Sequence, residues 1–256
     1  MKIGKTIMAL GIWLASQLIS AIPYSAGTVI CSPESADCIQ NTGNMLAVGL
    51  IISQIIELLA FWGLKYFKPV ETVRPFPGWK TLAVSLPLGF ACLYGVDVLT
   101  LLTDAPDLLA DEMKQMCQSA VGILSVAVIG PVSEEVLMRR IILRDMEAAT
   151  GSTWGGILIS AAIFAIIHFN PAQMLFAFPA GVLLGWLYCK TGSLLTPICV
   201  HILNNSSSVI VANMGWDDAT MTFDMEALLT VAVCAAVSAP LIMWLNRRYP
   251  SLKSVK

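Results

Sequence analysis

The sequence predicts an all-α membrane protein, a bundle of about eight transmembrane helices in a single domain over residues 1–256. Hydrophobic residues make up 57% of the chain and charged residues only 12%, and the mean hydropathy is positive. Long apolar stretches recur along the whole chain, and basic residues gather in alternate connections between them. This composition excludes a soluble globular protein and predicts a lipid bilayer, and no nucleic acid, as the surroundings.

Eight apolar stretches are long enough to cross, or nearly cross, a bilayer of about 30 Å. They cover residues 6–22, 45–64, 81–102, 117–138, 152–169, 172–189, 193–213 and 226–246. Each of these eight stretches is predicted to form one membrane helix.

Charge fixes the expected orientation of these helices. Basic residues lie at Lys2, Lys5, 65–80, 139–144, Lys190 and 247–256. The opposite connections carry Glu34, Asp37, Asp104, Asp107, Asp111, Glu112, Asp217, Asp218, Asp224 and Glu226, with Lys114 as their one basic residue. Because cytoplasmic loops are enriched in Lys and Arg, we expect both termini in the cytoplasm of a bacterium and the helices in its plasma membrane.

The first apolar stretch also has the features of a signal peptide, since two lysines precede it and small residues follow at 20–26. We expect it to be retained as a helix. Cys31 and Cys38 share the first outer connection and would pair in an oxidising compartment. The other five cysteines match no metal-ligand spacing and are expected to be packing residues.

Ionisable residues inside apolar spans are costly and therefore indicate function. Glu135 and Arg139 are four residues apart on one helix face, whereas Glu134 points about 100° away. We expect Arg139 to pair with Glu135 and leave Glu134 free to act as a general base in a poorly solvated place. The alternative is a belt of interfacial charges that ends the fourth span.

The two histidines of the chain lie in later spans. His168 follows Phe164 by one helical turn, and His201 shares a helix face with Asn205. Glu134 and His168 are equally far from Gly151, about 25 Å of helix on either side of a predicted turn. Since His201 reaches a similar depth from residue 193, we expect three helices to bring Glu134, His168 and His201 together near the cytoplasmic side.

Two mechanisms fit these residue types. In the first, Glu134, His168 and His201 bind zinc, and the metal activates a water molecule. In the second, which we favour slightly, no metal is needed. Glu134 takes a proton from water, the two histidines hold that water or protonate the leaving amine, and Asn205 donates to the developing oxyanion.

The motifs Glu-Glu-x-x-x-Arg, Phe-x-x-x-His and His-x-x-x-Asn, in this order, resemble those of the CPBP (Abi) intramembrane proteases, which include the type II CAAX prenyl endopeptidases. The resemblance covers residues 117–210, while 1–116 and 214–256 are flanking helices without a motif. It implies an endopeptidase that cleaves membrane-associated, prenylated or otherwise lipid-modified peptides. It implies catalytic roles for Glu134, Glu135, Arg139, His168, His201 and Asn205, and it leaves both mechanisms open.

Two other functions are compatible with the sequence. A catalytically inactive scaffold or bacteriocin self-immunity factor would keep the same fold. A proton-coupled transporter would use carboxylates in several spans, and Glu57 with Gln54 and Asp97 are further polar residues at membrane depth. Against a transporter, the sequence shows no paired interrupted helices or repeat symmetry.

Overall fold

The computed structural model of the protein describes residues 3–30, 36–66, 74–214 and 225–254. These residues form helices and connecting turns, and none of them lies in a β-strand. In chain order the helices are α1 Gly4–Ile30, α2 Ala36–Gly63, α3 Trp79–Leu101, α4 Ala110–Cys117, α5 Ala120–Thr150, α6 Thr153–Ile166, α7 Pro171–Thr191, α8 Leu195–Met214 and α9 Met225–Arg248. The predicted all-α bundle is thereby confirmed.

Seven of the helices in the described ranges are long and apolar enough to cross a membrane. The exceptions are α4, which is short and polar, and α6, which has only 14 residues. At about 1.5 Å per residue α6 is about 21 Å long, less than the 30 Å of a bilayer core. The fifth predicted span, 152–169, is therefore shorter as a helix than expected, because Pro171 disfavours a helical conformation at Asn170 and already begins α7.

The long helix α5 is interrupted twice by π-helical turns, at Ser125–Ile129 and Val136–Leu143. In a π-turn each N–H donates to the carbonyl five residues earlier, and Gly130 N–H donates to Ser125 O in this way. The next donor in the series would be Pro131, which has no N–H. The carbonyl of Val126 is thereby left for another partner.

Glycines let neighbouring helices approach closely at several places in the described part of the chain. A Cβ on Gly49 of α2 would lie within contact distance of the Ser20 backbone of α1. A Cβ on Gly89 of α3 would overlap the Val200 side chain of α8, one residue before His201. A Cβ on Gly181 of α7 would lie 2.9 Å from Ala161 Cα of α6. These contacts fix the helices that carry the polar residues of the core.

Both ends of the described chain lie at the same end of the bundle. The Thr6 amide and hydroxyl donate to Asp145 Oδ2, at the end of α5, over 2.9 and 2.8 Å. Burial and the nearby Asp145 carboxylate raise the pKa of Tyr66 above its ordinary value. On the other side of this surface, Lys253 Nζ donates to Thr191 O over 3.2 Å.

Several predictions concern residues outside this description. Cys31 lies there, as does the side chain of Cys38, so their proposed disulfide stays a prediction. The acidic residues Glu34, Asp217, Asp218 and Asp224 also fall outside the described residues. The other five cysteines are free thiols, of which Cys117 and Cys189 are buried and Cys92, Cys199 and Cys234 are partly buried.

Candidate active site

Glu135 and Arg139 form a fully buried ion pair inside the bundle. Arg139 Nε lies 3.0 Å from Glu135 Oε2, and both side chains are 0% exposed. The guanidinium also lies over the Phe164 ring, 5.1 Å from its centroid, and Nη2 donates weakly to Gly181 O at 3.4 Å. The pairing predicted from the four-residue spacing is therefore present in the structure, and it ties α5 to α6 and α7.

His201 lies between the two glutamates. Its Nδ1 is 2.9 Å from Glu135 Oε1, and its Nε2 is 3.7 Å from Glu134 Oε2. Because a carboxylate held by Arg139 can only accept, Nδ1 carries the donated hydrogen. In the neutral imidazole the lone pair of Nε2 then faces Glu134.

Glu134 differs from Glu135 in its surroundings. Its side chain is 31% exposed, against 0% for Glu135. The 3.7 Å between Glu134 Oε2 and His201 Nε2 is too long for a direct hydrogen bond and leaves both atoms able to bind a shared water. The sequence predicted one paired carboxylate and one free carboxylate in a poorly solvated place. In the structure Glu135 is paired, and Glu134 is more exposed than predicted.

His168 lies just beyond α6, in the turn that leads into α7. Its Nδ1 is 2.6 Å from Phe164 O, an acceptor, so Nδ1 is the donor and Nε2 is left for another group. The Phe164 ring contacts both imidazoles edge to face, with centroids 4.8 Å from His168 and 6.0 Å from His201. The structure thus gathers the two histidines around Phe164, with His201, and not His168, directly beside the glutamates.

Asn205 contacts the irregular part of α5. Its Nδ2 donates to Val126 O over 3.0 Å. This is the carbonyl that has no backbone donor because Pro131 lacks an N–H. Its Oδ1 accepts from Asn204 Nδ2 at 3.3 Å. An amide nitrogen has two hydrogens, so one remains for a ligand. The role of Asn205 as the donor to Val126 O was not predicted. The sequence shows that Pro131 lacks an N–H, but it does not show which side chain donates in its place.

The residues present do not assemble the three-ligand zinc site that the first mechanism requires. Within the described part of the chain, no three His, Cys, Asp or Glu side chains come together in an arrangement that could hold a metal ion. Glu134 and His201 are neighbours, but His201 Nδ1 faces Glu135 and His168 is directed to the Phe164 backbone.

Two further acidic residues of the apolar spans, Glu57 and Asp97, differ in burial. Glu57 of α2 is buried, 2% exposed, and close enough to Glu134 for their charges to interact. Asp97 of α3 is exposed on the outside of the bundle. Sequence reasoning left Glu57 outside the site, although a carboxylate at membrane depth was a signal for it.

Comparison with known proteins bears on the segment that contains these residues. Residues 117–207 match the family described as "Type II CAAX prenyl endopeptidase Rce1-like". This segment is therefore similar to a CAAX/CPBP-type family. The match covers nearly the same residues, 117–210, as the resemblance that the motifs predicted, and Glu134, Glu135, Arg139, His168, His201 and Asn205 all lie within it.

A curated relative supports the same CAAX/CPBP-type assignment. The chain is 32% identical over 85 residues to the Bacillus subtilis protein named "Putative membrane peptidase YdiL". The similarity covers 33% of this chain and 34% of that protein, so the chain spans about a third of the length of this relative. No solved structure matches the chain significantly. The seven candidate spans in the described residues, together with this similarity to membrane peptidases, indicate an integral membrane protein.

Proposed function

We propose that the protein is an intramembrane endopeptidase in which Glu134 activates water for attack on a peptide bond. The observation that carries the proposal is the pair of contacts made by His201, whose Nδ1 lies 2.9 Å from Glu135 Oε1 and whose Nε2 lies 3.7 Å from Glu134 Oε2. The match of residues 117–207 to an endopeptidase family supports it.

In the proposed reaction Glu134 removes a proton from a water molecule that contacts both its Oε2 and His201 Nε2. The water oxygen bonds to the carbonyl carbon of the substrate, and the carbonyl electron pair moves to its oxygen. When this oxyanion collapses, the C–N bond breaks and the amine nitrogen takes a proton from Glu134 or His201. The products are a new carboxylate and an amine.

Glu135 and Arg139 act on this reaction through His201. The buried guanidinium keeps Glu135 an acceptor, and Glu135 holds the imidazole with its Nδ1 hydrogen toward α5. That arrangement presents Nε2 to the water and stabilises an imidazolium when Nε2 gains a proton. His168 Nε2 is proposed to bind the same water or the leaving amine.

Asn205 is proposed to stabilise the oxyanion with the amide hydrogen that Val126 O does not use. Its attachment to α5 would fix the direction of that hydrogen before substrate binds. Electrostatic stabilisation of this kind is most effective when the donor is already oriented.

The proposed substrate is a membrane-associated peptide, prenylated or otherwise lipid-modified, cleaved near the cytoplasmic side of a bacterial plasma membrane. The basic residues at 65–80, 139–144 and 247–256 support this orientation. The family description of the matched segment names prenyl endopeptidases and supports the substrate class.

The first experiment compares purified wild type with Glu134→Gln on prenylated peptides and on a membrane-protein pool. We expect products with wild type only, and a loss of at least about a hundredfold in kcat with the variant, because a general base is removed. Products that survive EDTA would favour the metal-free reaction. Loss on chelation that added zinc reverses would contradict it and favour a metal site formed with substrate.

A scaffold or self-immunity factor would give a different result. In that case neither protein yields products, and Glu134→Gln keeps the biological effect of the wild type in cells. A proton-coupled transporter would instead lose flux driven by a pH gradient in the same variant.

A further inference from the structure

The helix α2 presents a buried polar pair to the candidate active site. Glu57 is 2% exposed, and its Oε1 has no hydrogen-bond partner among the described residues. Gln54, one helical turn earlier, also has a buried Oε1 with no hydrogen-bond partner among the described residues. Both belong to a helix that lies outside the segment matched by the endopeptidase family, residues 117–207.

Gly130 lies where α2 and α5 meet. A Cβ on Gly130 would lie 3.6 Å from Gln54 Nε2 and 3.8 Å from Glu134 Oε1. These two atoms therefore face the same small space. Glu134 thus has two different sides, with Oε1 toward α2 and Oε2 toward His201.

Within the described part of the chain, Glu57 forms no ion pair. The ionisable group that interacts with it is Glu134, another carboxyl group, and α1, which packs along α2, has no ionisable side chain at residues 6–23. An isolated carboxylate is very costly to bury, and two facing carboxylates repel each other. The neutral acid is the form that suits this position, and its O–H is a donor beside the acceptor Glu134.

We propose that Glu57 and Gln54 are positioning residues for Glu134. The Glu57 hydroxyl and the Gln54 amide donate toward the Oε1 side of Glu134, directly or through one water, and keep Oε2 directed at His201. This proposal rests on the proposed function, since its consequence is the orientation of the base. A buried polar pair that contributed only to stability would be better replaced by apolar side chains.

The test compares Glu57→Gln, Glu57→Leu and the control Ser53→Ala. Ser53 is also fully buried on α2, but its hydroxyl bonds within its own helix to Leu50 O. We expect Glu57→Leu to lower kcat about tenfold to a hundredfold with KM nearly unchanged, because the base is misplaced. Glu57→Gln retains a donor and is expected to stay within about threefold of wild type, as is Ser53→Ala.

Stability separates positioning from packing. Replacing a buried carboxyl by leucine removes a desolvation cost, so Glu57→Leu is expected to unfold at the same or a higher temperature than wild type. A loss of kcat together with a lower unfolding temperature would overturn the proposal in favour of a packing role. Equal losses of kcat in Glu57→Gln and Glu57→Leu would also overturn it, because a donor would then be irrelevant.

A spectroscopic measurement tests the pair without any substrate. The infrared spectrum of wild type should contain the carbonyl stretch of a protonated carboxylic acid, shifted in D2O. We expect Glu57→Gln to remove this band and Glu134→Gln to retain it. A band that Glu57→Gln leaves in place would refute the neutral Glu57. If the band behaves as expected but wild type cleaves nothing, the proposed function fails while the Glu57 assignment stands.

Discussion

Three charged residues on one short stretch of α5 have different surroundings. Glu135 and Arg139 are fully buried against each other, while Glu134, their neighbour in sequence, is 31% exposed. A buried pair that loses one partner leaves the other charge uncompensated, which is more costly than the loss of an accessible carboxylate. The same substitution at Glu134 and at Glu135 is therefore expected to change the stability of the protein by different amounts.

Glu135→Gln should destabilise the protein by roughly 3 kcal/mol or more, because Arg139 remains buried without its counter-charge. Glu134→Gln should change stability by less than about 1 kcal/mol, since its carboxylate is partly solvated. Thermal or denaturant unfolding of both variants in the same detergent or bicelle measures the difference. Equal stabilities would contradict the assigned role of the ion pair.

At the scale of the elements, the site depends on how closely α6 and α7 pack. Gly181 of α7 faces Ala161 and Phe164 of α6, and its carbonyl accepts from Arg139. Phe164 in turn contacts both imidazole rings and the guanidinium. A change in the distance between these two helices would therefore displace several groups of the site at once.

Gly181→Ala places a methyl group 2.9 Å from Ala161 Cα and 3.3 Å from Phe164 Cδ1. Because the nearest atom belongs to a backbone, we expect a loss of about 1–3 kcal/mol and reduced activity. Gly11→Ala is the matched control, since a Cβ there has nothing within 4 Å. An unfolding temperature equal to that of the control would show that the helices can separate without cost.

At the scale of the whole molecule, both ends of the described chain lie at one end of the bundle. Contacts of Thr6 with Asp145 and of Lys253 with Thr191 bring both ends to the surface that also carries the ends of α5 and α7. The basic residues of the sequence predict that this surface faces the cytoplasm. The orientation would decide from which side a substrate reaches Glu134.

Reporter fusions in a bacterial host test this orientation. A fluorescent protein that folds only in the cytoplasm should fluoresce when fused after residue 256, and alkaline phosphatase should be active when inserted in 215–224. The opposite pattern, with active phosphatase at residue 256, would reverse the predicted topology and place the basic surface outside.

The sequence by itself determined the bundle, the approximate positions of the helices, the Glu135–Arg139 pair and the segment that carries the family match, because hydrophobic length and helical spacing are local properties. The tertiary structure decided which groups meet. It ends α6 before His168, places His201 beside both glutamates, lets Asn205 donate to Val126 O, and brings Glu57 near Glu134. These contacts join residues that are far apart in the chain, and they follow from the packing of whole helices, which no local pattern encodes.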